Sequence, residues 1–364
     1  MNRSLREWGV GFAFVCFLAL VLEITIRSFY ASTTEATFLA PKNLIIDYYP
    51  ELRRFIDRPD QESEKVEVLV LGGSVVHRDF CDLDSLLDPP KPSSSRAQRF
   101  KVYNLGAYTQ TSQDSRIKYE LLRGHRFDYV IVYHGINDTR ANNSPKALFR
   151  ADYRHIGFYD EVHVLLRHPE INLSMIPYVL DIAWLKLGER FGWRPRIPAQ
   201  YFVNDGEIQS FDGAREVDLE QGREINKLWW DAGSEIKSAA VFLQNFERII
   251  ELAERRGERV VLLTYAWHIP ADYSLEEFFA RSLSYSRHSY PAEIWGDPEN
   301  VRKGLKQHNG IVRKLCSENA DLLCLDIASL IPKTAMYFDD PCHLTTLGCE
   351  LMGRKISEAL GAPN

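Results

Sequence analysis

Residues Glu67–Asp79 read EVLVLGGSVVHRD. The apolar run Val66–Leu71 lacks strict alternation, the pattern of a strand covered on both faces. It stops at two glycines and a serine, and the chain then turns polar. Ser74 is either a turn residue capping the start of a helix or a nucleophile held at a strand's end. The decision depends on what the rest of the chain can bring beside it.

Similar runs recur at Lys101–Leu105, Tyr129–Tyr133, Arg259–Tyr265 and Leu322–Asp326, rich in Val, Leu, Ile and Tyr. Amphipathic stretches separate them at Ser112–Arg123, Ala239–Arg256, Val301–Asn319 and Leu347–Leu360. In Ala239–Arg256, the residues Val241, Phe242, Phe246, Ile249, Ile250 and Ala253 fall at helical spacing, a core-packing stripe. Alternating strands and helices predict an α/β fold. Its form is a three-layer α/β/α sandwich around a mainly parallel, doubly wound, flavodoxin-like sheet. Ligands in such sheets bind beyond the carboxyl ends of the strands.

The chain of 364 residues, 45% hydrophobic and 26% charged, is long enough for a real core, and its composition excludes wholesale disorder. A net charge of −6 without a long basic run argues against nucleic acid as a partner. The N-terminus differs from the rest. Arg3 and Arg6 precede WGVGFAFVCFLALVL, Trp8–Leu22, and Glu23 interrupts before Arg27 closes the run. About 20 apolar residues span a bilayer core, so residues 1–30 read first as a transmembrane anchor, then as a cleaved signal segment, last as a core helix. The basic flank favours a cytoplasmic N-terminus, with the bulk of the chain outside the cytoplasm.

Residues 31–64, with Pro41, Pro50 and Pro59, read as a linker, and 65–364 as the main domain. Within it, about 142–237 breaks the strand–helix rhythm and reads as an insertion, a cap or a packing layer. It contains a helix-like VLDIAWLKLGERFGW and the tryptophans of NKLWWDAG. Ala266–Asn300 is a second long loop. Of six cysteines, Cys16 lies in the apolar segment. Cys81, Cys316, Cys324, Cys342 and Cys349 show no CxxC or zinc spacing; an exported domain could form one or two disulfides whose pairing is not readable, and free, partly buried thiols are the default expectation. No cofactor or metal is expected. Nucleotide binding through the LGGS turn lacks a GxGxxG pattern and a downstream acidic partner.

Four separated segments place chemistry at strand ends: Gly72-Gly73-Ser74, Asn104-Leu105-Gly106, Gly135-Ile136-Asn137-Asp138, and Asp340-Pro341-Cys342-His343. A serine hydroxyl needs an imidazole to take its proton, and the imidazole needs a third group to orient it. His343 can be the base, with Asp340 three residues earlier to orient it. The Ser74 N–H, Gly106 N–H and Asn137 amide can serve as oxyanion donors. Asp138 reads as structural, and His77 and His134 have no assigned role.

The set resembles the SGNH (GDSL-type) hydrolase family, whose blocks supply Ser, Gly, Asn and His in that order. The matching stretches are VLVLGGSVV, VYNLGAYTQTS, VIVYHGINDTR and DDPCHLTTLGCELMG. They cover the sheet from about 65 to 360, but not the anchor or the insertion. The family's Gly-Asp-Ser appears here as Gly72-Gly73-Ser74, the weakest block. The resemblance implies the SGNH hydrolase fold and metal-free cleavage of carboxylic esters, O-acyl or O-acetyl groups of a small molecule, lipid or carbohydrate. Acyl transfer to an envelope carbohydrate is the alternative activity. A non-catalytic, membrane-tethered binding protein is the alternative from another class.

Overall fold

The computed structural model describes residues 2–56, 65–87, 100–193 and 232–361. Two compact units emerge: Met1–Asp57 with Tyr153–Ile197, and Arg58–Asp152 with Pro198–Asn364.

The larger unit is built on five parallel strands: β1 (Val66–Gly72), β2 (Phe100–Asn104), β3 (Tyr129–Tyr133), β4 (Arg259–Leu263) and β5 (Leu323–Leu325). Their order is β2-β1-β3-β4-β5, and every pairing is parallel. Each expected run is therefore a strand, with ends within two residues of the sequence reading. Strand order reverses between β1 and β3, whose ends are level because Gly72 pairs with Tyr133. That reversal opens a crevice at the carboxyl edge.

Helices cover the sheet on both faces. Ser112–Leu121, Ser238–Arg256 and Pro298–Glu318 pack side by side. The stripe Phe242, Phe246, Ile249 and Ala253 is buried, as its spacing predicts. Elsewhere, Val68 and Val70 of β1 share a core with Ile131 of β3, Val261 of β4, and Met352 and Ile356 of the last helix, Thr346–Gly361. Period-2 alternation along each strand puts these side chains on one sheet face. Two disulfides, Cys81–Cys349 and Cys316–Cys324, replace the default of free thiols and match the alternative of one or two bridges. The fold brings together cysteines whose spacing carries no pairing signal. Cys16 and Cys342 stay free.

The smaller unit contains three long helices: α1 (Asn2–Thr33), α2 (Gly157–Leu166) and α3 (Ile176–Arg190). Over Trp8–Thr33, α1 is long and apolar enough to cross a bilayer, a property a signal sequence shares. It runs unbroken through Glu23, whose carboxylate bonds Arg27 at 2.6 Å. The same carboxylate accepts from the Met175 N–H and the Ser174 hydroxyl, both at 2.9 Å. Arg27 donates to the carbonyls of Phe38 and Asn172, each at 2.9 Å. The stretch expected as a linker differs from that expectation through residue 56. Short helical turns from Pro41 to Ile56 bury Leu44, Ile46 and Tyr49, and the Tyr48 and Tyr49 rings meet Phe158 of α2. The insertion's expected helix is α3. Trp229 and Trp230 lie outside the described residues.

Candidate active site

β1 delivers Ser74 through two positions that only glycine fits. A Cβ on Gly72 would lie 2.4 Å from Val76 Cγ2 and 2.9 Å from the Tyr133 carbonyl oxygen. A Cβ on Gly73 would lie 2.9 Å from Asn137 Nδ2 and 3.1 Å from the Gln110 carbonyl oxygen. A larger residue at 73 is therefore crowded by the Asn137 amide and the Gln110 carbonyl, and one of them has to shift to admit it. Gly73 is extended, and Ser74 opens a 3-10 turn, Ser74–Val76. As the first residue of that turn, its N–H lies outside the turn's own bonding.

His343 arrives from the segment before the last helix, 269 residues downstream, and its Nε2 lies 3.1 Å from Ser74 Oγ. Its Nδ1 lies 2.8 Å from Asp340 Oδ2 and 3.0 Å from Oδ1. Asp340 is fully buried, and its Oδ1 also accepts from the backbone N–H groups of Cys342 at 3.0 Å and His343 at 2.9 Å. Those bonds fix the carboxylate, and it in turn fixes the ring. The imidazole stacks on Phe80 at 4.1 Å between centroids, with Tyr290 at 5.0 Å. The next residue after Phe80 is Cys81, so the Cys81–Cys349 bridge ties the serine's turn to the helix that follows His343. Cys342 brings a third metal-type ligand atom within 4.8 Å of those of Asp340 and His343. Burial pushes that thiol well up.

Asn137 sits after β3 in the turn of helix Ile136–Arg140. Trp295 Nε1 donates to its Oδ1 at 3.0 Å, and its Nδ2 donates to the Gln110 carbonyl at 3.0 Å. An indole N–H can only donate, so the amide's orientation is settled and one Nδ2 hydrogen is left over. Sequence reading missed Trp295 and Gln110; the one available hint was a tryptophan in the long loop Ala266–Asn300. Gly106 reaches the same edge, where an added Cβ would lie 3.2 Å from the Gly73 carbonyl oxygen. Its N–H, however, donates to Asn104 Oδ1 at 2.8 Å. The expected third oxyanion donor is thus engaged by a side chain two residues away.

Ser74, Asn137 and His343 line a cleft of about 50 Å³ with Phe80, Tyr108, Thr109, Arg140, Tyr290, Ile294 and Trp295. Thr109 holds φ at 58°, a costly conformation for a β-branched residue and one that clusters at functional edges. Asp138 is structural, as expected: fully buried, it accepts from the Ser112 hydroxyl at 2.6 Å. His134 is buried against the Ser115 hydroxyl at 2.6 Å, and burial with nearby Lys118 lowers its pKa to about 3.

No family model matches the sequence, and no curated protein matches it. Among solved structures, the chain is similar to a GDSL-like lipase from Bacteroides thetaiotaomicron. Identity is 12%, with 86% of this chain and 97% of that one covered, at a TM-score of 0.41. It is also similar to a catalytic mutant of an acetylxylan esterase from Geobacillus stearothermophilus (11% identity, 84% and 97% covered, TM-score 0.39). An α/β hydrolase from the metagenome of Lake Arreo, Spain, gives 11% identity, 82% and 96% covered, and a TM-score of 0.40. Strand order and the site's own distances define the class here. The chain is a doubly wound α/β/α protein whose serine, histidine and aspartate converge where strand order reverses.

Proposed function

We propose that the protein is a serine ester hydrolase of the SGNH type, with Ser74 as nucleophile, His343 as base and Asp340 as the residue that orients it. The observation that carries this reading is the linked pair of contacts, Ser74 Oγ to His343 Nε2 at 3.1 Å and His343 Nδ1 to Asp340 at 2.8 Å. Ser74 Oγ attacks the ester carbonyl carbon while His343 Nε2 takes its proton. The oxyanion is held by the Ser74 N–H and the remaining Asn137 Nδ2 hydrogen. The tetrahedral intermediate expels the alcohol with the proton from His343, and water then releases the acyl group by the same steps.

The narrow, aromatic-lined cleft beside Ser74, between Phe80, Tyr290 and Trp295, makes a short acyl group such as an O-acetyl ester the substrate we test first. The two disulfides and the basic residues ahead of α1's apolar run support an anchored protein whose catalytic part lies outside the cytoplasm. The test is fluorophosphonate labelling of the full chain in detergent, followed by hydrolysis of p-nitrophenyl acetate and octanoate. Wild type labels, Ser74→Ala does not, and the acetate ester turns over faster. A folded wild type that resists the probe, or an equally labelled Ser74→Ala, rejects serine catalysis.

A further inference from the structure

The helix α3 has two apolar faces, and only one of them is covered. Tyr178, Leu185 and Gly188 are buried within the smaller unit. Leu180, Trp184, Leu187 and Phe191 recur at spacings of four, three and four residues, which places them on a single stripe. They are 43–64% exposed. The stripe ends in an aromatic cluster, with Trp193 stacked on Phe191 at 5.4 Å and Trp184 at 5.8 Å from Trp193. A water-facing helix normally turns polar residues outward, so a stripe of this length marks a contact surface.

This inference rests on the anchored reading proposed above, in which α1 crosses the bilayer, and that helix identifies the occupant. The start of α3 is bonded to α1 through Glu23, which accepts from the Met175 N–H and the Ser174 hydroxyl. Glu23 ends the charge-free run Trp8–Leu22, so on that reading it lies toward the polar side of the span. Two more exposed apolar residues lie at that level. Leu173 follows Asn172, and Leu39 follows Phe38, the residues whose carbonyls hold Arg27; both leucines are 84% exposed. Exposed apolar side chains beside this end of the run, and tryptophans on the helix that starts there, match the composition of the interfacial zone, where aromatic rings concentrate.

We propose that the Leu180–Trp184–Leu187–Phe191 face of α3, with Leu39 and Leu173, rests in the headgroup–acyl boundary of the bilayer that α1 crosses. The ligand is the lipid surface itself, and the contact is a second one, separate from the span.

The full chain carrying Cys16→Ser is reconstituted into phosphatidylcholine–phosphatidylglycerol vesicles with a nitroxide at Leu180→Cys or Leu187→Cys. A label at Lys146→Cys in the larger unit is the water-exposed control. Collision with oxygen and with a water-soluble nickel complex is measured by electron paramagnetic resonance. Both α3 labels should keep oxygen collisions and lose nickel collisions, while the control keeps nickel collisions. Quenching by brominated lipid, which needs no label, should fall in Trp184→Phe relative to wild type. Nickel access at 180 and 187 equal to that at 146 places the face in water and overturns the proposal. Dipolar broadening that disappears on dilution with unlabelled protein assigns the face to a second copy, and loss of both collision types assigns it to covering protein. Either outcome also overturns the proposal.

Discussion

The Trp295 indole donates to Asn137 Oδ1 across 158 residues of chain, and this bond decides which way the Asn137 amide faces. Without the indole N–H, the amide can turn its oxygen toward a developing oxyanion. Trp295→Phe should lower kcat about tenfold with little change in KM, because a misaimed donor weakens transition-state binding more than ground-state binding. Asn137→Ala removes the donor and should cost about 10²–10³-fold in kcat. Steady-state kinetics on p-nitrophenyl acetate separates the two parameters. A Trp295→Phe effect confined to KM would assign the indole to substrate contact.

Placing an aspartate at position 73, to give a Gly-Asp-Ser sequence, should harm this protein. Gly73→Asp forces a side chain against Asn137 Nδ2 and the Gln110 carbonyl, so the serine turn or the amide must move. A displacement of about 1 Å in such a site costs roughly a hundredfold in rate. Hydrolysis should fall by that order, with Gly73→Ala falling less. Equal or greater activity in Gly73→Asp would contradict the steric account.

Two buried neutral histidines make the fold sensitive to acid. His134 is lowered to about 3 by burial and Lys118. His308, stacked on Phe242, is lowered to about 4 mainly by burial. Each binds a proton more readily unfolded than folded, so the stability they contribute is present above about pH 6.5 and is lost as pH falls toward 4. Each should steepen the loss by about 1.4 kcal/mol per pH unit below 6. Denaturant unfolding from pH 7 to 4 measures the slope. His134→Gln should reduce it by about one proton's worth, and an unchanged slope would remove this residue from the account.

The two disulfides should differ in what they contribute. Cys81–Cys349 closes 268 residues and Cys316–Cys324 closes eight. Chain-entropy arguments give about 5.6 kcal/mol for the first and about 2.5 kcal/mol for the second. Replacing each pair with alanines and measuring unfolding in urea tests the order. Losing Cys81–Cys349 should also slow probe labelling of Ser74, because the bridge holds the Phe80 side of the site to the helix after His343.

The sheet was legible because the central strands β1, β3 and β4 are buried on both faces and leave continuous apolar runs, while the half-covered edge strands β2 and β5 still kept enough Val, Leu and Tyr to be read. Ser74, Asn137, Asp340 and His343 were legible because strand ends converge on one edge of such a sheet. Gly106 shows the limit of that logic: its place at the edge was readable, but the claim of Asn104 Oδ1 on its N–H was not. Trp295 and Gln110 act through contacts made far along the chain, and neither lies in a local motif. The pairing Cys81–Cys349 was likewise invisible, since spacing carries no trace of which helix end meets which turn. The turns from Pro41 to Ile56 looked like a linker because each is too short to show helical periodicity.

The distance in sequence between Ser74 and His343 also sets a schedule. At a synthesis rate of about 5–20 residues per second, the 269 residues between them take roughly 15–50 s to emerge. During that interval the serine is an ordinary alcohol, because nothing is present to take its proton. The helix α1 leaves the ribosome before Ser74, and Ser74 well before the base segment. The growing chain therefore completes α1 and Ser74 well before the imidazole arrives, and fragments that stop short of Asp340 carry the apolar helix and the serine without His343.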